Sequence, residues 1–123
     1  MDTMTWIYLI NTILLIIHEI DSAYWKEWEL FKIPGGLNAF LLLHFPLLFL
    51  ILYGLLEIQK QSSTGLIISL LLGLGGIFAF SIHTYFIRKG RDEFKTAVSQ
   101  SLLYSTLTVS IVQILLTIKI WLK

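Results

Sequence analysis

Residues 37–58 read LNAFLLLHFPLLFLILYGLLEI. An apolar run of this length is far too long for a strand, and it suits a helix that crosses a bilayer, which needs about 20 mostly apolar residues. Three further stretches read the same way. They run over about 4–21, 65–87 and 96–119. The connections between them are short, so consecutive spans are antiparallel neighbours. The expected fold is all-α: an integral membrane four-helix bundle occupying residues 1–123 as one transmembrane domain.

Composition supports this reading. Of 123 residues 56% are hydrophobic and 14% charged, and the mean hydropathy is +0.79. A soluble domain is nearer 45–50% apolar and about 25% charged. The formal charge of +1 is too balanced for a nucleic-acid binder. The absence of cysteine excludes disulfides, thiolate metal sites, thiol nucleophiles and covalent haem attachment.

Local signals set the boundaries. Asp2, Thr3 or Thr5 can cap the first helix, and Ser62, Ser63 or Thr64 the third. Pro34, Gly35 and Gly36 break the chain before the second span. Gly90 separates the third span from the fourth, which Asp92 can cap. The first span carries Asp2 and no basic residue at its start, and no small-residue cleavage pattern follows, so a retained helix is expected rather than a signal peptide. Residues 21–33 mix Tyr24, Trp25, Trp28 and Phe31 with Lys26, Glu27, Glu29 and Lys32. This is the pattern of an interfacial extension after the first helix, anchored by aromatic rings at the headgroup level.

An even number of spans places both termini on one side. The opposite side carries Lys26, Lys32, Arg88, Lys89, Arg91 and Lys95, against Lys60, Lys119 and Lys123 on the terminal side. The positive-inside rule makes the six-residue side cytoplasmic. A multi-pass cell-membrane protein with both termini outside the cytoplasm is therefore expected.

The polar residues converge on that cytoplasmic side. His18, His44 and His83 fall one on each of the first three spans. At 1.5 Å per residue all three lie roughly 7–11 Å deep. Glu19 and Asp21 flank His18, and Glu93 is read as opening the fourth helix. Carboxylates near hydrocarbon cost about 2.5–3.5 kcal/mol each on insertion scales, so they face inward, pair, or bind a cation. Seven-residue stripes support an inward face: Asn11, His18 and Trp25; Ser69, Gly76, His83 and Gly90; Glu93 and Gln100. Gly73, Gly75 and Gly76 allow a tight helix crossing. Pro46, two residues after His44, removes a backbone donor and can open a cavity beside it.

Imidazoles with carboxylates suit Zn²⁺ or Fe²⁺, or Mn²⁺. The expected metal ligands are His18, His44, His83 and Asp21, with Glu19, Asp21 and Glu93 as catalytic acid–base or orienting groups. Such a centre would polarise water or a lipid ester, which makes a metal-dependent membrane enzyme acting on a lipid or other apolar substrate the leading expectation. The alternative is a non-catalytic membrane subunit, or a haem- or ion-binding bundle, whose polar residues form a structural network. Each histidine taken singly is more often a hydrogen-bonded packing residue than a ligand. Expected partners are the lipid bilayer and either a second copy or another membrane protein, with no nucleic acid. No nucleophile elbow, H-E-x-x-H, Walker or dinucleotide motif is present.

His18-Glu19-Ile20-Asp21, Glu27-Trp28 and His44-Phe45-Pro46-Leu47 resemble the signature of a family of small uncharacterised bacterial four-helix membrane proteins. The resemblance takes in His83 and the Glu93-Phe94 pair and so spans nearly the whole chain. It implies fold and membrane location but no activity. The chain is also loosely similar to intramembrane metal hydrolases of the ceramidase type, which gather several histidines and an aspartate at one membrane face. Those have seven helices, and their closely spaced His pair on one helix is absent here.

Overall fold

The computed structural model describes residues 2–123, and among them every regular element is helical. The elements are α1 (Thr3–Tyr24), α2 (Glu27–Leu30), α3 (Gly36–Gln59), α4 (Ser63–Arg88) and α5 (Ala97–Trp121). All but α2 are long and apolar enough to cross a membrane. The expected four-span bundle is therefore the observed one.

Three of the four long helices start at a side-chain cap. The Asp2 carboxylate accepts from the Thr5 amide at 2.8 Å, and the Ser62 hydroxyl accepts from the Gly65 amide at 3.0 Å. The start of α5 departs from expectation. Thr96, not Asp92, is the cap, its hydroxyl accepting from the Ser99 amide at 3.1 Å. Phe94 just before it sits at φ 64°, in the left-handed region that ends a helix or delays its start. Glu93 therefore lies on the loop before α5, out of the seven-residue stripe with Gln100.

α1 also runs three residues further than expected, to Tyr24. Lys26 then reverses the chain at φ 53° and Lys32 does so again at φ 54°. Between these two left-handed residues the short α2 folds back over the end of the bundle. The interfacial segment is thus more than an anchor belt: Leu30 is buried, and Trp25 and Phe31 pack around it and Phe94.

α4 packs against α5 and α3, and α1 against α5 and α3. α1 and α4 run in the same direction across the bundle, so residues near their C-terminal ends meet. Close approach depends on glycine where α4 crosses α5: a Cβ on Gly73 would meet Ile114 at 2.6 Å, and one on Gly76 would collide with the Ser110 hydroxyl. Mid-bundle, the two helices and α1 share a buried polar ladder. Asn11 donates to Gln113 at 2.9 Å and to Ser110 at 3.1 Å. Gln113 donates to the Ser69 carbonyl and hydroxyl, both at 3.0 Å, and Ser69 bonds Thr117 at 2.8 Å.

Candidate metal centre

The parallel course of α1 and α4 brings His18 and His83 to one level, where both are almost fully buried. Their Nε2 atoms are 3.1 Å apart. The fold-back of α2 adds Glu27, whose Oε1 is 3.3 Å from His83 Nε2. His18, Glu27 and His83 form a group that could hold a metal ion, with one ligand atom from each all within 4.8 Å. Two atoms each bound at about 2.0–2.1 Å to a tetrahedral ion lie about 3.3 Å apart, which the His18–His83 and His83–Glu27 spacings match, while ion binding would draw His18 and Glu27 together.

Hydrogen bonding inside the chain does not exhaust this cluster. His83 Nε2 faces both His18 Nε2 and a carboxylate oxygen, and a single N–H cannot serve both well. Neither His18 Nδ1 nor His83 Nδ1 has a protein partner. A buried polar atom left unpaired costs about 1–3 kcal/mol. Phe94 seals the group, its ring centroid 4.2 Å from His83 and 5.8 Å from His18, and Phe31 adds a second ring 6.1 Å from His83. Burial pushes the Glu27 carboxyl up. Its contacts with His83 and Ser22 and the nearby imidazole charge outweigh that, holding it below the usual carboxylate range. It is therefore available as an anionic ligand.

His44 is placed differently. Its Nδ1 donates to the Phe40 carbonyl at 2.6 Å, so Nε2 is the atom that meets Glu19 Oε2 at 2.5 Å. With Nδ1 already carrying a proton, the Nε2–carboxyl contact holds one more proton, which sits on one partner or the other. Phe40 also stacks on the imidazole at 3.9 Å. Glu19 and His44 thus form a proton-holding pair beside the His18–Glu27–His83 group.

One cavity of about 320 Å³ joins the two. His18, Glu19, Glu27, His44 and His83 gather in its wall, and nearly all the rest of the lining is apolar. Leu43 on α3 and Leu71 and Phe78 on α4 border it and are exposed, so the cavity opens sideways between these two membrane helices.

The residues singled out in the sequence therefore divide. His18 and His83 come together, and His44 joins Glu19 at the same cavity. Asp21 turns aside: one carboxylate oxygen accepts from Trp25 Nε1 at 3.0 Å and the other is buried without a partner. Glu93 is part of an Arg91 ion pair at 2.7 Å on the α4–α5 loop. Glu27, which joins the group that could hold a metal ion, was not singled out as a candidate ligand. Its one signal was its place in the Glu27-Trp28 pair; its charge among aromatic and basic neighbours read as interfacial anchoring.

Fold and site define a multi-helix membrane protein with a His₂–carboxylate cluster at one end of the bundle. More narrowly, the chain belongs to DUF6713, a family of unknown function, whose model matches residues 4–120. No curated protein matches the chain, and no solved structure does.

Proposed function

We propose that this protein is a metal-dependent membrane enzyme in which His18, His83 and Glu27 hold one Zn²⁺ or Fe²⁺ ion and the adjoining cavity presents an apolar substrate to it. The observation that carries this reading is the convergence of two imidazoles and a carboxylate at the wall of a cavity that opens between two apolar helices of membrane-spanning length. Two histidines and one glutamate are a recurrent catalytic zinc set, and two histidines with one carboxylate a recurrent non-haem iron set. Three protein ligands leave a position for water or for a substrate oxygen. The neighbouring Glu19–His44 pair carries the proton such chemistry exchanges. The excess of basic residues on this end of the bundle supports a cytoplasmic-facing site.

The test is elemental analysis of the protein in nanodiscs after exposure to Zn²⁺ or Fe²⁺, followed by turnover of long-chain esters and amides by the loaded protein. One ion per chain is expected, lost in His18→Ala, His83→Ala and Glu27→Gln, with losses that do not add because the ligands act as a unit. His44→Ala retains the ion but loses turnover. Failure of the wild-type chain to take up either ion overturns the metal centre. Full uptake without turnover of any such substrate overturns the enzyme.

A further inference from the structure

The cavity has the dimensions of a slot for one hydrocarbon chain. It extends along α3 from Phe40, beside His44, to Ile51 near the middle of the bundle. That is a rise of eleven residue steps, about 16 Å at 1.5 Å per residue. Spread over that length, about 320 Å³ corresponds to a cross-section of about 20 Å², on the order of a single extended alkyl chain. The slot widens at Gly75, where a Cβ would meet nothing within 4 Å. Its mouth faces lipid, so a tail can enter sideways without leaving hydrocarbon.

The polar end sorts head groups by charge. Two carboxylates, Glu19 and Glu27, face this end of the cavity, and no Lys or Arg lines it. An anionic head would find carboxylates and no cationic side chain there, whereas a neutral head with a carbonyl and hydroxyl finds donors and acceptors among the imidazoles and carboxyls. We infer that the slot between α3 and α4 binds a neutral single-chain amphiphile, an acyl ester or amide with a small hydroxyl-bearing head, entering from the bilayer with its head at Glu19–His44. This rests on the proposed function for its purpose, but tail binding is measured without metal.

The experiment uses the chelator-treated chain in nanodiscs and the fluorescence of Trp28, which lines the slot. The probe is a monoacylglycerol brominated near the head end of its chain. Comparators are the corresponding fatty acid and a two-chain phosphatidylcholine with the same brominated chain. Quenching is taken as the difference between the wild type and Trp28→Phe. The monoacylglycerol should quench saturably and several-fold more than either comparator. Gly75→Phe or Ala79→Leu, which fill the slot, should reduce this to the two-chain level. Leu74→Phe, on the neighbouring position outside the slot, should leave it unchanged and so reports that an added ring on α4 is tolerated. Equal quenching by the two-chain lipid, stronger quenching by the fatty acid, or indifference to both filling variants overturns the inference. Metal uptake is read on separate untreated samples, so loss of either property identifies which reading has failed.

Discussion

The bundle contains two buried polar groups with opposite hydrogen-bond accounts. In the ladder of Asn11, Ser69, Ser110, Gln113 and Thr117, every side chain has a partner on another element. In the group of His18, Glu27 and His83, both imidazoles keep a nitrogen without a partner, and two nitrogens and an oxygen crowd one point. Both groups are sunk in the same apolar surroundings. Polar side chains that satisfy one another hold helices together. Polar side chains that do not are retained at a price in stability, which is how binding sites differ from packing. The difference also sets a limit on the metal centre. Metal-bound imidazoles usually donate their other N–H to a carbonyl or carboxylate, and lacking that support lowers affinity about 10–100-fold.

The largest expected effect falls where the second group is sealed. Phe94 is 1% exposed and covers both imidazoles, and it holds a left-handed backbone to do so. Phe94→Ala should destabilise the chain by about 3–5 kcal/mol, the usual range for an aromatic removed from a core. Reversible unfolding in mixed detergent micelles measures it. A loss below about 1 kcal/mol would mean that this end of the bundle is loosely packed and that its unpaired nitrogens are reached by water.

Next comes the ladder. Gln113→Leu removes bonds to Asn11 and Ser69 at once and leaves their polar atoms short of partners. A loss of about 2 kcal/mol is expected in the same assay, near the upper end of measured interhelical hydrogen bonds. No change would remove the contrast on which the comparison rests.

The opposite behaviour is expected of the second group. His18→Leu exchanges a poorly satisfied imidazole for an apolar side chain, so metal-free stability should stay within about 1 kcal/mol of the wild type or rise. The readout that does change is ligand-linked: Zn²⁺ at 100 times its dissociation constant should add about 2.7 kcal/mol to the wild type and nothing to His18→Leu. A large metal-free loss in His18→Leu would assign this cluster to packing, like the ladder.

These two regions also differ in how legible they were. The four spans follow from apolar runs alone, and the ladder sits on the stripes of Asn11, Ser69 and Gly76. The meeting of His18 and His83 follows from equal depth on the first and third spans, which run in the same direction. Glu27 does not follow, because it reaches the site through a chain reversal at Lys26, and a left-handed lysine carries no sequence mark of the kind glycine or asparagine gives. Glu19 was read as a carboxylate beside His18, and which histidine it meets depends on the rotation of α3 about its axis, which apolar residues on nearly every face leave unspecified. Glu93 was drawn to the site by reading Asp92 as a helix cap. Thr96 competes for that role four residues later, and the Asp92 carboxylate bonds Lys95 at 2.8 Å instead.

Glu93 therefore supplies the smallest expected effect and the sharpest check on where the site ends. It makes two bonds to Arg91, at 2.7 and 3.2 Å, on a solvent-facing loop. The guanidinium holds its carboxyl below the usual carboxylate range. A carboxyl depressed in the folded state adds stability above its unfolded value, and that contribution fades as pH falls through the folded value. Glu93→Gln should thus flatten the acid-side decline below about pH 4.5 slightly and change nothing near neutrality. Exposed pairs of this kind contribute little, since solvent screens them and ordering both side chains offsets the attraction. Metal content should be the same as in the wild type, in contrast with Glu27→Gln. If Glu93→Gln sheds the ion instead, the loop before α5 closes onto the cluster in the loaded protein. The ligand set would then include a residue that stands outside it in this conformation.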